Sequence, residues 1–484
     1  MLFFRKILSF ILFIWVLVST ALNPLTVRGD VLRINTDRQY QKMISWGTSA
    51  CWWSQQMRDS ETADEIARLL YGENGLNLNV YRFNIGAGSA DNPSERISIE
   101  KRKSESFYVY DKEKGEYIYD FSRDASSVMM MDKALKAGAD SIIMFCNSPH
   151  YSMTVSGQAG GGLEAAQSNL PRENYRKFVD YVLTVADHFY NEGYPVTYIS
   201  PINEPQWDWG GESVSQEGCH FTAEEAVELL ELFAVTMQER HTPYGLMGIE
   251  SGELSPKYYE YVDLFAKSKI LMSYCDTFCA HSYWIDNDVK QKIQSGERVK
   301  ALMPELNFEM SEWCELPCKL DAQTVDSALY MSTVIAEDLK YLGVNSWSSW
   351  TACEVSSNPR SVHGSDRFFA VSPDMSDFAI MKRYYAFRHF SQFIPAGSIR
   401  VQTVEGKKLE DIISVAYLRP DGKIALVITN NSESDYSINL KDFSVSEMYV
   451  TDENRNCEQA ETNTPTDVLS VGAKSIVTAI LIAE

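Results

Sequence analysis

The chain has 484 residues, 45% hydrophobic and 23% charged, which excludes a disordered or fibrous protein and leaves room for one large domain plus a smaller one. Its 66 acidic residues outnumber 44 Lys and Arg for a net charge of −22, a poor basis for nucleic-acid binding and a better one for a neutral substrate. Nine scattered cysteines, an odd number, imply no dense disulfide framework. Cys275/Cys279 and Cys314/Cys318 are spaced like half zinc sites, but histidines at metal spacing are missing, so structural or free thiols are expected.

The first residues read as a secretory leader. Arg5 and Lys6 precede an apolar run from Ile7 to Val18, and Ser19-Thr20-Ala21 supplies a small-residue cleavage site. A signal peptide over 1–21 predicts a secreted, extracellular chain without membrane attachment; an uncleaved N-terminal anchor is the alternative. The acidic surface suits a monomer.

After a strand-like lead-in at 30–40, buried strands are expected to begin near 43, 78, 141, 197, 246, 277, 308 and 345. Between them, apolar residues recur at helical spacing over 61–71, 129–139, 173–190, 222–240, 256–267 and 326–341. The segments 89–125, 154–170, 209–221 and 285–300 are read as loops. Eight strands alternating with helices predict a (β/α)8 barrel of the α/β class over 41–392, and no glycine-rich phosphate loop follows the first strand. From 393 onward, short alternating runs separated by DG, NNSES and TPTD turns predict an appended β-sandwich over 393–484, with 30–40 as one of its strands.

The most informative stretch is Tyr198 to Trp207. A buried strand runs into Asn203-Glu204, and Pro205, having no N–H to donate, must end its pairing. That puts Glu204 at the C-terminal mouth of strand four, where barrels carry their chemistry. Glu312 holds the equivalent place on strand seven. Two carboxyls across one barrel mouth suit glycoside cleavage, one protonated to donate and one ionised to attack. Arg82, in strand two, is either a paired structural charge or a group that holds a carboxylate ionised. His281 and Tyr283 could hold the same carboxylate from another side, with a core histidine as the plain alternative for His281. Trp207, Trp347 and Trp350 lie past strand ends, where an indole face can stack on a sugar ring, or fill the barrel, as one of the last two is expected to do.

The ordered segments YRFNIGAG, CNSPHYSM, SPINEPQW, HSYW, MSEW and WSSWTA resemble glycoside hydrolase family 30, of the large (β/α)8 clan of retaining enzymes. The later KRYYAFRHFSQFIPAGSIRV is similar to that family's passage into its β-sandwich, so the resemblance spans residues 40 to 484. It implies Glu204 as acid/base, Glu312 as nucleophile, Asn203 as the partner of a sugar 2-hydroxyl and Arg82 as support for the nucleophile. Asn147 is carried over as a further substrate-binding or supporting position. No cofactor and no metal is implied. The opening ISWGTSACWW is most similar to the endo-β-1,6-galactanase-like branch, whereas His150 and Tyr151 depart from the family's bulky aromatic–methionine run. The resulting expectation is a secreted retaining β-glycosidase of endo-β-1,6-galactanase type. A β-xylosidase, β-glucosidase or glucosylceramidase-type activity and a non-catalytic carbohydrate-binding protein are the alternatives.

Overall fold

A computed structural model of the chain describes residues 31–212, 214–359, 367–461 and 467–483; the proposed signal peptide at 1–21 lies outside them. Eight parallel strands close into a barrel: β1 (Ser45–Ser49), β2 (Val80–Asn84), β3 (Ser141–Phe145), β4 (Val196–Ser200), β5 (Gly245–Ser251), β6 (Thr277–Ala280), β7 (Asn307–Trp313) and β8 (Ser346–Ser349). Each starts within two residues of its expected position. Closure is made by β8 pairing with β1, from Ser346 opposite Ser45 to Ser349 opposite Thr48.

A helix follows each strand: α1 (Glu61–Tyr71), α2 (Ala125–Ala137), α3 (Tyr175–Asn191), α4 (Ala223–Arg240), α5 (Tyr259–Lys267), α6 (Val289–Leu302), α7 (Val325–Glu337) and α8 (Lys382–Ser391). Local chemistry starts them well. The Thr222 side chain accepts from the Glu225 N–H and Glu225 answers to the Thr222 N–H, a capping box that satisfies two otherwise orphaned donors.

The expected loop at 285–300 is in fact α6. Its buried positions are Lys292, Ser295, Gly296 and Val299, a helical stripe with only one large apolar member. Lys292 goes inside because Glu337 and Asp338 receive its ammonium at 3.1 and 2.9 Å. Hydrophobic periodicity cannot find a helix buried through an ion pair. The expected solvated loop at 89–125 likewise contains a hairpin, Tyr108–Asp111 with Glu116–Tyr119. A small sheet of Cys353–Val355, Phe369–Val371 and Phe378–Ile380 follows β8, unanticipated from the sequence.

The C-terminal region builds an antiparallel sheet in the order Leu32–Lys42, Ile399–Glu405, Ile412–Leu418, Ile424–Asn430, Ser475–Ala483, Phe443–Thr451, Glu458–Ala460. The pair Tyr436–Asn439 and Val468–Val471 covers its apolar face, making a sandwich. The N-terminal lead-in is indeed an edge strand there, with Leu32 opposite Glu405. The barrel docks through a shared apolar cluster that takes in Val415, Tyr417, Val427 and Ile480, with a buried polar point where the His389 ring nitrogens face Thr478 at 2.7 Å and Thr451 at 2.9 Å. All nine cysteines are free thiols, and no helix among the described residues is long and apolar enough to cross a membrane.

Candidate active site

Period-two alternation sets up the site from below. The lower barrel interior is lined by Val80, Ile143, Met247 and Cys279 with Tyr198. Two residues further along, β2 contributes Arg82 and β4 contributes Ser200, so the filling turns from apolar to polar toward the C-terminal mouth. Arg82 is fully buried, with its guanidinium over the Phe145 ring at 3.6 Å. It donates to Glu312 Oε2 at 2.7 Å, Glu250 Oε1 at 3.3 Å and Asn203 Oδ1 at 3.4 Å. Pairing with two buried carboxylates is what both readings offered for Arg82 share.

Glu204 follows the last residue of β4 by four positions and takes a left-handed backbone, φ 46°. Its N–H bonds the Glu250 carbonyl at 2.9 Å, and this curl turns its carboxylate into the mouth. An oxygen of Glu204, an oxygen of Glu312 and a ring nitrogen of His281 all lie within 4.8 Å of one another. His281 Nδ1 is 3.3 Å from Glu204 Oε1 and 3.8 Å from Glu312 Oε1, while Nε2 is 3.0 Å from Glu250 Oε2. Tyr283 donates its hydroxyl to Glu312 Oε1 at 3.2 Å. Asn203 Nδ2 donates to Asn147 Oδ1 at 3.3 Å, and Asn147 in turn reaches Asn84 and the Cys51 thiol.

Burial alone would depress the His281 imidazole, but Glu312, Glu204 and Glu250 outweigh it and lift it to about 10. His281 is therefore a standing cation. The triad of Glu204, His281 and Glu312 has a spacing that a metal ion could occupy. Burial pushes the Glu312 carboxyl up, with Glu204 adding to the rise and His281 and Arg82 opposing it. Glu250 is also buried, but Arg82 and His281 overcome the burial and hold it well below the ordinary carboxylate range. It accepts further bonds from Ser200 at 2.6 Å and from Ser311. Beneath it, burial and the Glu250 charge push Glu309 up to about 8.

Sequence reasoning missed Glu250 as a site residue, although it ends an apolar strand as Glu312 does. It missed Glu309 as well. Trp347, expected as one possible sugar platform, is elsewhere. It faces outward from β8, packs on Phe387 of α8 and donates its indole N–H to Asp338 at 3.0 Å. Trp350 does reach the mouth, where it meets Trp52 edge-on at 5.2 Å and Phe145 at 6.4 Å. Trp207 stands on the opposite flank, near Tyr258 at 5.9 Å and Trp284 at 6.4 Å.

Residues 30–359 match the family model for O-glycosyl hydrolase family 30, and residues 397–479 match the β-sandwich domain model of the same family. An endo-beta-1,6-galactanase of Hypocrea rufa is 25% identical over 225 residues, covering 42% of this chain and 46% of that protein. The chain thus aligns with under half the length of that relative. A putative glucosylceramidase 2 of Caenorhabditis elegans is 23% identical over 451 residues, covering 88% of this chain and 81% of the other. Among solved structures, a conserved exported protein from Bacteroides fragilis superimposes with a TM-score of 0.80 at 21% identity, covering 93% of this chain and all of that one.

Proposed function

The chain belongs to O-glycosyl hydrolase family 30 and is an O-glycosyl hydrolase, and from that premise we propose a retaining β-glycosidase with Glu204 as acid/base and Glu312 as nucleophile. The observation that carries the pair is the approach of their oxygens to within 4.8 Å. Retaining enzymes hold their two carboxyls about 5–5.5 Å apart, whereas inverting ones leave about 6.5–9.5 Å for a water.

The partners of the carboxyls support the roles. Among the described residues, Glu204, Glu250 and Glu312 share two buried partners, Arg82 and His281. Glu250 is held ionised by both cations. Glu312 takes a charge-assisted bond from Arg82 and a hydroxyl from Tyr283, both of which favour its anion. Both contacts suit Glu312 to the nucleophile's part and leave Glu204 the acid/base part.

In the first step Glu204 protonates the glycosidic oxygen as a Glu312 oxygen bonds to the anomeric carbon and the leaving sugar departs. In the second, Glu204 takes a proton from water, the hydroxyl bonds to the same carbon, and Glu312 is released. Asn203, oriented by Arg82 and Asn147, is placed to meet the sugar 2-hydroxyl.

Similarity to the Hypocrea rufa protein supports a β-1,6-galactan as substrate, cut internally, and the basic-then-apolar leader pattern over 1–21 supports secretion. The longer alignment with the nematode protein supports a β-glucosidase or glucosylceramidase-type specificity as the second reading. The test is product sizing on a panel of β-1,6-galactan, β-xylan and β-glucoside substrates, with Glu204→Gln and Glu312→Gln beside wild type. Oligosaccharides from galactan by wild type alone, with the β-anomer as first product, are expected. Single glucose units would move the specificity to the second reading. Silence of folded wild type across the panel would overturn the mechanism.

A further inference from the structure

The two aromatic groups at the mouth flank different carboxylates. Trp350, Trp52 and Phe145 lie on the side of Arg82, which grips Glu312. Trp207, Trp284 and Tyr258 lie on the side of Glu204, as Gly252 makes plain. A Cβ on Gly252 would stand 2.6 Å from Glu204 Oε1, 2.6 Å from Trp207 Nε1 and 2.8 Å from Gln206 Nε2. A carboxylate, an indole N–H and a side-chain amide therefore converge against Gly252, where no side chain would fit.

Two of the groups around that spot are unexplained by the fold. Gln206 is 4% exposed, yet both its amide oxygen and its amide nitrogen lack a hydrogen-bond partner among the described residues. A buried amide without partners is uncommon and costly. Trp284 is the reverse case: it is 52% exposed, and it sits in the left-handed region at φ 66°, unusual for a bulky side chain. Its ring meets Trp207 nearly perpendicular, so the fold holds a large apolar surface in solvent beside a hungry amide.

We infer that Trp284, Gln206 and Trp207 form the subsite for the leaving-group sugar, with Trp284 as its stacking platform and the Gln206 amide as the partner of its hydroxyls. This rests on the hydrolase reading above and follows from its geometry, because the acid donates to the leaving oxygen and the departing ring must lie on the acid's side. A sugar has the two properties the site asks for: an apolar C–H face for an indole, and hydroxyls that both donate and accept for an amide. Binding energy here acts on the departing ring, so it is realised only by substrates that have one.

The test compares two substrates of the same sugar, taken as whichever member of the panel the wild type cleaves fastest. One is the oligosaccharide; the other is the β-glycosyl fluoride, whose leaving group has no ring to stack and no hydroxyl to bind. In Trp284→Ala and in Gln206→Met, the ratio of kcat/KM for oligosaccharide over fluoride is expected to fall at least tenfold, and Trp284→Phe should recover part of it. Gln206→Met removes an unpartnered buried amide, so it should melt no lower than wild type, which separates loss of the subsite from loss of the fold. An unchanged ratio in both variants, with wild type active on both substrates, overturns the subsite and leaves the hydrolase standing. Wild-type silence on the whole panel overturns both.

Discussion

Glu309 carries a prediction that the structure makes quantitative. It lies inside the barrel beneath Glu250, 5% exposed, and its Oε1 has no hydrogen-bond partner among the described residues. Burial and the nearby Glu250 charge raise its carboxyl from 4.5 to about 8. Between those two values the folded chain keeps a proton that the unfolded chain has released, so stability falls as pH rises. Whatever protonated Glu309 contributes is fully present below 4.5 and gone above about 8. At roughly 1.36 kcal/mol per unit, the loss is about 3 kcal/mol at pH 7 and about 5 kcal/mol at pH 9. Glu309→Gln keeps the shape and removes the ionisation. Its melting temperature should match wild type near pH 4.5 and exceed it by about 3–5 °C at pH 9, taking an unfolding entropy of about 2 cal/mol/K per residue. Thermal melts across that range decide the matter. Parallel curves, or a variant that melts lower at pH 9, would mean that the native barrel uses the Glu309 anion, and the reasoning would be refuted.

Two further substitutions probe the layer above. Glu250→Gln removes the carboxylate 3.0 Å from His281 Nε2, an attraction of roughly 5 kcal/mol at an effective dielectric of about 20. His281 should then fall toward an ordinary histidine, and the alkaline limb of the kcat/KM profile should move down by at least one pH unit; an unmoved limb counts against a His281 cation held by Glu250. Gly252→Ala puts a methyl 2.6 Å from the Glu204 carboxylate and forces the acid or its neighbours to shift. A loss in kcat/KM on the order of 100-fold, with an unchanged melting temperature, is expected from kinetics beside calorimetry.

The barrel was legible because several of its strands, such as Ser141–Phe145, are largely apolar runs and most of its helices carry amphipathic stripes, the two patterns that burial imposes. Where burial was achieved by other means the pattern failed. α6 is seated by Lys292 between Glu337 and Asp338, and no hydropathy reading reveals an ion pair to a residue 45 positions away. Trp347 is a different failure, because the signal was present. Its neighbours Ser346 and Ser348 are small, and Ser348 pairs with Gly47 on adjacent β1, where a Cβ would meet both Ser348 Oγ and the inward-facing Val80, so alternation sends the indole outward to α8. An aromatic past an apparent strand end looked like a sugar platform; period two said otherwise.

The same parity explains why one catalytic residue needed more than a pattern. Along β7, Phe308 and Met310 face the helices while Glu309 and Ser311 face inward, the latter bonded to Glu250. Strict alternation would send Glu312 outward with Phe308 and Met310, and would nominate Glu309 as the interior acid. The register of β7 against β8 shifts between Met310 and Trp313, and that irregularity swings Glu312 into the mouth, where Arg82 and Tyr283 reach it. At Glu204 the corresponding device is the left-handed curl after β4. Both acids thus depend on a break in the strand that carries them, as does Glu250, with φ 52° and a register shift of β5 against β6 between Ile249 and Ser251, while Arg82 and Ser200 are delivered by regular alternation. A barrel strand can aim a side chain at the axis by period alone. Bringing two carboxyls together above that axis requires each strand to end out of register, and sequence periodicity is blind at those ends.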